Sequence, residues 1–461
     1  MSVIKPSLPK GTRDFLPEQM LRRQFVMGTM QDIFEKYGYQ PLETPSIEKL
    51  EVLSGKYGDE GEKLIFKVLR RGTGLEDLLQ GESEFTVRKY GDLVEEALRY
   101  DLTVPLSRVV AMYQNDLVLP FKRYQIQPVW RADRPQRGRY REFYQCDVDT
   151  VGTDSMLADA ETIAIVHEVL STLGFEHFTI RLNNRKILDG IMEYAGIRRE
   201  ITPSALISID KIDKIGVDGV RKDMQARGVA AGEVAKLLNA LEIAGDAHTV
   251  LAHLLDFYGE NASLREGAEE LQEIFTHLVA MGVPQERCKV DLFLVRGLGY
   301  YTGAMHESVV EEPKIGSLTG GGRYDRLIGM FLGREIPATG TSFGIERIID
   351  VMTQLNMFPP QKSKTHVLIA SFDKTTQAST LKMAQDFRRA GLNAEVYLNT
   401  VKLKKQFTYA DRKQIPFVAI IGPDEQANNT VTLKDLGSGQ QETLQWNAAV
   451  AQIKNILDIE K

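Results

Sequence analysis

FKRYQIQPVWRADRPQRGRYREFYQCDVD, residues 121–149, places two alternating runs on either side of a turn crowded with arginine at positions 131, 134, 137, 139 and 141. Side chains two apart along a strand share a face, and neighbours oppose each other. Even positions collect Tyr124, Ile126, Pro128, Trp130, Tyr140, Tyr144, Cys146 and Val148, a largely apolar side suited to packing. Odd positions collect Arg123, Gln125, Gln127 and Arg131, then Arg139, Arg141, Phe143, Gln145, Asp147 and Asp149. The pattern predicts an antiparallel hairpin with one packed face. Its polar face reads in two ways: the solvated side of a half-buried sheet, or a surface built to hold an anion. Other segments decide between them.

At 461 residues and 51.8 kDa the chain has length for more than one domain and a large core. A net charge of -6 and a pI near 5.8 argue against a generic basic coat for nucleic acid. A local basic groove stays possible, because the attraction acts over a Debye length of about 8 to 10 Å. Cys146 and Cys288 stand far apart, with no Cys-x-x-Cys spacing, which fits a reducing compartment. The opening MSVIKPSLPKGTRDFLPEQ lacks the apolar heart of a signal peptide, and no run approaches the length of a membrane span. A soluble, cytoplasmic protein is expected.

Residues 1–184 alternate helices and strands, with an amphipathic run over 18–37 stopped at Gly38 and a short strand ending at Pro45. Residues 185–286 turn helical, rich in Ala, Leu and Glu, and strands return at CKVDLFLV. Residues 287–352 then complete the first domain around a helical insertion. Residues 353–364 are polar and proline-containing, as in a linker. Residues 365–461 read as a small α/β unit: HVLIASF, a helix near 379–390, AEVYL, a basic helix and PFVAIIG.

VRGLGYYTGAMHE, residues 295–307, combines Arg296 and the adjacent Tyr300 and Tyr301 with glycines that permit close backbone approach or positive φ. On its own it reads equally as a glycine-rich bend with a surface arginine. LTGGGRYD, residues 318–325, sets another glycine triplet before an arginine, and GTSFGIERIID, residues 340–350, reads as strand, glycine turn and helix, with Arg347 in the first turns. Its Gly-x-Ser-x-Gly at Ser342 matches a hydrolase nucleophile elbow. A downstream acid and histidine, Asp350 and His366, fall on the adjoining helix and just past the linker, a poor basis for a triad. There is no Walker A or dinucleotide fingerprint, and the seven histidines lack metal-ligand spacing, so no zinc is expected.

Together these segments resemble the histidyl-tRNA synthetase family of class II aminoacyl-tRNA synthetases over nearly the whole length. The hairpin is similar to the second class signature and GTSFGIERI to the third. RGLGYYTG and GGGRYD resemble signatures of the histidine-specific enzymes, and KGTRDFLP their N-terminal opening. The resemblance implies an α/β (α+β) fold: an antiparallel-sheet catalytic domain with a helical insertion, followed by a small α/β anticodon-binding domain. It implies ATP with Mg2+, L-histidine and tRNA(His) as partners, and a homodimer built on the first helix and strand.

Position by position, the resemblance implies that Arg131 clamps the ATP phosphates, Arg139 holds the polyphosphate tail, Phe143 stacks on adenine and Arg347 covers its other face. Guanidinium forks suit such oxygens. Gln145 and Asp149 would sit at histidine, Asp101 and Thr103 would receive its ammonium group, Tyr301 would meet the imidazole, and Tyr300 would line the pocket. Arg296 would stabilise charge at the α-phosphate. Gln136 and Arg137, on the turn, would touch the acceptor end of tRNA. No carboxylate declares itself as a metal ligand. Gly299 departs from the pattern, standing where the family usually has an acidic residue. The basic run VKLKKQF, residues 401–407, reads either as a contact for the anticodon arm or as a solvated helix face. A non-catalytic relative, such as the synthetase-like regulatory subunit of ATP phosphoribosyltransferase, would be expected to lack the C-terminal unit and these arginines.

Overall fold

The structure is a computed structural model and describes residues 4–55, 61–71, 93–135, 138–296, 300–359 and 363–459. The chain divides into two bodies, Met1–Asp14 with Arg23–Met357, and Phe15–Arg22 with Phe358–Lys461.

In chain order the strands of the first body are β1 (Gln40–Pro41), β2 (Ile47–Lys49), β3 (Lys67–Leu69), β4 (Val94–Leu98), β5 (Phe121–Trp130), β6 (Glu142–Val151), β7 (Thr179–Asn184), β8 (Cys288–Val290), β9 (Ala304–Val309), β10 (Thr319–Arg323) and β11 (Ala338–Phe343). Eight form one sheet in the order β1-β5-β6-β11-β10-β9-β7-β8, and β2-β4-β3 form a small second sheet. The six inner strands of the large sheet are antiparallel; β1 on β5 and β8 on β7 are parallel additions at its edges. The hairpin forms as its alternation predicts, but Trp130 and Glu142 end its ladder, so Arg131, Arg139 and Tyr140 belong to the connection.

The even face of the hairpin is packed. Phe34, on the helix Pro17–Lys36, sets its ring 5.6 Å from those of Tyr124 and Phe343. Burying an aromatic or aliphatic side chain of this size contributes about 1.5–3 kcal/mol. Gly38, at φ +79°, turns the chain off the helix. The strand that follows ends at Pro41, short of the expected Pro45. Pro45 has no N–H to give a ladder, and Thr44 directs its own N–H to the Gln127 side chain at 3.1 Å.

Residues 185–286 carry six helices. Asn184 caps the first, Arg185–Ala195, by accepting from Lys186 N, and the last, Ala262–Ala280, packs back upon it. The approach is close: a Cβ on Gly190 would stand 2.6 Å from Leu264 Cβ. The helical stretch leaves the sheet from β7 and returns through β8, its parallel neighbour, the arrangement a long crossover requires.

The second body holds β12 (Val367–Ser371), β13 (Ala394–Val396), β14 (Phe417–Ile421), β15 (Thr430–Asp435) and β16 (Gln441–Gln445), ordered β13-β12-β14-β15-β16, with its apolar core formed by residues such as Ile369, Phe387 and Phe417. Strands β15 and β16 and the helix Trp446–Leu457 extend the unit beyond the elements expected from sequence. The basic run opens the helix Leu403–Arg412, and its Gln406 is buried, donating to the carbonyls of Ser371 and Val401 at 2.9 Å.

Candidate active site

Partners in an antiparallel register share a face, and two such rows cross the odd face of the large sheet. One reads Gln125–Asp147–Ser342–Gly320–Glu307–Arg181, the next Arg123–Asp149–Gly340–Gly322–Met305–Asn183. The polar face of the hairpin is therefore not solvated. Arg123 and Gln125 are wholly buried, and Asp147 and Asp149 are 3 % exposed. Glycine makes the floor. A Cβ on Gly320 would lie 1.6 Å from Arg296 Nη1, and one on Gly340 would lie 2.1 Å from Asp149 Oδ1, so both side chains lie flat only because these positions carry none.

A cavity of about 380 Å³ opens on this face. Four arginines from three segments, Arg131, Arg139, Arg296 and Arg347, line it together with Phe143, Gln145, Tyr300 and Tyr301. Arg131 donates Nε to Tyr100 O at 3.1 Å and Nη2 to Gln145 Oε1 at 3.2 Å, its guanidinium 5.2 Å from the Phe143 ring centre. Arg296 donates to Thr319 O at 3.0 Å and stands 3.5 Å from Glu307, which also accepts from Ser317 at 2.7 Å. Arg347 donates to Ser317 O at 2.7 Å. Arg139, half exposed, has Asp133 at 3.8 Å. The rings of Tyr300 and Tyr301 meet edge to face at 4.6 Å.

Asp149, Asp101 and Thr103 are not on the cavity wall. Asp149 lies beneath it, ion-paired to Arg123 at 2.8 Å and accepting from the Tyr324 hydroxyl. Asp101 accepts from Val104 N at 3.1 Å, and Thr103 begins the helix Thr103–Met112. Gln136, Arg137 and Gly299 lie outside the described residues. Ser342 sits within β11, not on a turn, and its hydroxyl accepts from Gln145 Nε2 at 3.1 Å, so the elbow motif forms no elbow. Arg323, after the glycine triplet, faces the other side and pairs with Asp159.

Sequence reasoning passed over Glu307, Tyr324 and Glu346. Glu346 lines the cavity and pairs with Arg13 and with Arg23 at 2.7 Å. An acidic residue directly before an arginine on a first helical turn is a faint signal; Tyr324, 175 positions from Asp149, gave none.

Electrostatics follow from burial. Loss of water raises the Asp147 and Asp149 carboxyls above the usual range, and Arg123 pulls both back down. Burial, then Arg296 and Arg139, lower the Arg347 guanidinium. Cations crowded in this way are suited to an anionic ligand that offsets their repulsion. Glu346, on the cavity wall, and Glu307, beside Arg296, are already bracketed by arginine, and among the described residues no group of three or more His, Cys, Asp or Glu is placed to hold a metal.

Residues 11–76 and 85–348 match the family model described as histidyl-tRNA synthetase, and residues 366–456 match an anticodon-binding domain. A histidine--tRNA ligase of Cytophaga hutchinsonii is 45% identical over 97% of this chain and 99% of its own. The crystal structure of histidyl-tRNA synthetase from Nostoc sp. PCC 7120 superposes with a TM-score of 0.84 at 32% identity, covering 98% of this chain and all of that one. An ATP phosphoribosyltransferase regulatory subunit/histidyl-tRNA synthetase from Bacillus halodurans C shares the fold, with a TM-score of 0.72 at 20% identity over 88% of this chain and 97% of that one. With glycine-floored rows, four convergent arginines and a full-length match behind it, this chain belongs to the histidyl-tRNA synthetase family.

Proposed function

We propose that the chain is a histidine--tRNA ligase, which joins L-histidine to ATP as histidyl-adenylate, releases pyrophosphate, and passes histidine to the 3' end of tRNA(His). The observation that carries this reading is the convergence of Arg131, Arg139, Arg296 and Arg347 on one cavity, in a chain of that family. Phe143, Gln145, Asp147 and Asp149 share one strand face, spanning about 20 Å at the usual rise. That length accommodates a base, a phosphate chain and an amino acid laid end to end.

The substrate carboxylate is already ionised, so the first step asks for no general base. Its oxygen bonds to the α-phosphorus, and the bridging bond to the β-phosphate breaks, its electron pair leaving with pyrophosphate. Positioning and charge neutralisation remain to be supplied. In this reading Arg131 and Arg139 hold the phosphates, Phe143 and Arg347 sandwich adenine, and Arg296 meets the charge growing on the α-phosphate. Gln145, Asp149, Asp101, Thr103, Tyr300 and Tyr301 take histidine, whose imidazole is matched by polar groups that other side chains would leave unpaired. Gln136 and Arg137 meet the acceptor end of tRNA, whose terminal ribose hydroxyl displaces AMP. Magnesium enters on the phosphates of ATP as part of the substrate. Residues 365–461 take the anticodon arm, and residues 185–286 act as an insertion within the catalytic domain.

We further propose a cytoplasmic homodimer; no helix among the described residues is long and apolar enough to cross a membrane. Mass in solution tests the dimer. Histidine-dependent exchange of pyrophosphate into ATP tests the activity: the parent exchanges, and Arg296→Ala loses about 100- to 1,000-fold in rate, the usual cost of one transition-state donor. Histidine binding without exchange in the folded parent would favour a regulatory protein instead.

A further inference from the structure

Residues 10–13 form no part of the sheet or of the cavity wall, yet they touch two of its walls. The Gly11 carbonyl accepts the Arg141 N–H at 2.9 Å, and the Lys10 carbonyl accepts Arg141 Nη1 at 3.5 Å. Arg141 in turn donates Nε to Asp133 O at 3.0 Å, and its own carbonyl accepts from Arg131 N at 2.9 Å. The N-terminal segment thus holds Arg141, which ties the two ends of the β5–β6 connection together. The fit is close. Gly11 has φ +87°, and a Cβ there would stand 2.8 Å from Arg141 Cγ and 2.9 Å from Pro135 Cγ.

Two residues on, the Arg13 guanidinium lies 3.7 Å from the centre of the Tyr140 ring and pairs with Glu346. Tyr140 and Glu346 both line the cavity, and each adjoins in sequence an arginine of the site, Arg139 and Arg347. Arg139 has little to fix it of its own, being half exposed with its carboxylate partner 3.8 Å away. Glu346 is 7 % exposed and held from a second side by Arg23, so it is a firm anchor.

We propose that residues 10–13 are a strap that sets the gap between Arg139 and Arg347, with Arg13 as a positioning residue for ATP. The inference rests on the reading of this cavity as the ATP site. Misplacement by about 1 Å costs up to about 100-fold in rate, so the strap is felt in the chemistry although it touches no substrate.

Pyrophosphate exchange with separate titrations of ATP and histidine tests it, on Arg13→Ala, Arg13→Lys and Gly11→Ala, each with its melting temperature. The expected result is a KM for ATP raised about tenfold in Arg13→Ala, in keeping with a misplaced binding group, with the histidine KM within twofold of the parent. Arg13→Lys keeps a charge for Glu346 without the flat stack on Tyr140 and falls between; it carries the test if the alanine variant does not fold. A merely structural segment would lower the melting temperature and leave both KM values unchanged, and that result overturns the strap, as does an equal rise in both. A folded parent that neither exchanges pyrophosphate nor binds ATP would overturn the cavity reading itself, a separate outcome from a parent that exchanges and variants that match it.

Discussion

Arg123 and Arg323 lie on opposite faces of the large sheet, 0 % and 3 % exposed, and differ in how far their donors are met. Arg323 gives Nε and Nη2 to Asp159, Nη1 to Thr153 O at 3.1 Å and to Asp325 at 3.4 Å, and Nη2 also to Ser155 O at 3.1 Å. Arg123 donates only Nη2, to Leu102 O at 3.4 Å, with Asp149 as its ion-pair partner at 2.8 Å; its Nε and Nη1, like Gln125 Oε1 beside it, have no hydrogen-bond partner among the described residues. A buried polar group left unmet costs about 1–3 kcal/mol. Arg323 closes its hydrogen bonds to hold the fold, and Arg123 keeps polarity in reserve beneath the cavity.

Breaking the closed side should cost most. Arg323→Met leaves Asp159 buried without its counter-charge and should lower stability by about 3–5 kcal/mol in denaturant unfolding; a loss below about 1 kcal/mol would deny Arg323 its structural part. Gly320→Ala probes the open side without touching the core. The three atoms nearest the new methyl all belong to the flexible tip of Arg296, so the melting temperature should hold while exchange falls about 100-fold, or about 2.7 kcal/mol of barrier. Equal losses in both would show that the glycine serves packing. Arg123→Met removes an incompletely bonded arginine, so its stability cost should be smaller than that of Arg323, about 1–3 kcal/mol. Its histidine KM, set through Asp149, should rise about tenfold, roughly 1.4 kcal/mol. An unchanged KM would separate Asp149 from histidine.

A last effect, confined to acid pH, concerns His306, on the packed face in the row Tyr124–Val148–Thr341–Gly321–His306–Leu182. Its Nε2 and the Thr341 hydroxyl have no hydrogen-bond partner among the described residues, but unlike Arg123 beneath the cavity they are neutral: burial, aided by Arg296, pushes the imidazole down to about 3. Below about pH 6.5 the unfolded chain takes up a proton that the folded one refuses, so stability present above that pH is lost on acidification towards 3. His306→Asn should flatten the pH dependence of stability by about 1.4 kcal/mol per pH unit between roughly pH 4 and 6. Parallel slopes for parent and variant would show the imidazole charged inside.

Much of this contrast is written in the alternation of residues 121–149, where odd and even positions separate as they do in space. What alternation withholds is the company each strand keeps. Gln125 and Asp147 meet Ser342, Gly320 and Glu307 only because three more strands lie in register beside them, and no local pattern sets that order. Arg323 and Ser342 show the opposite failing: each sits in a conspicuous motif, yet Arg323 turns to the packed face and Ser342 lies flat in a strand. The arginines of the cavity were legible from resemblance, whereas the strap at residues 10–13 needed the position of Tyr140 against Glu346, which are 206 apart in number.

The rows also bear on how such a chain can change length. Because each runs across six strands with every residue committed to one side, deletion of a single residue inside β5 or β6 would carry Arg123 or Asp149 to the packed side and bring tyrosine or valine under the ligand. Losing two would restore the parity. Insertions and deletions in these strands should therefore survive selection in pairs, and odd-numbered changes should be confined to the connections.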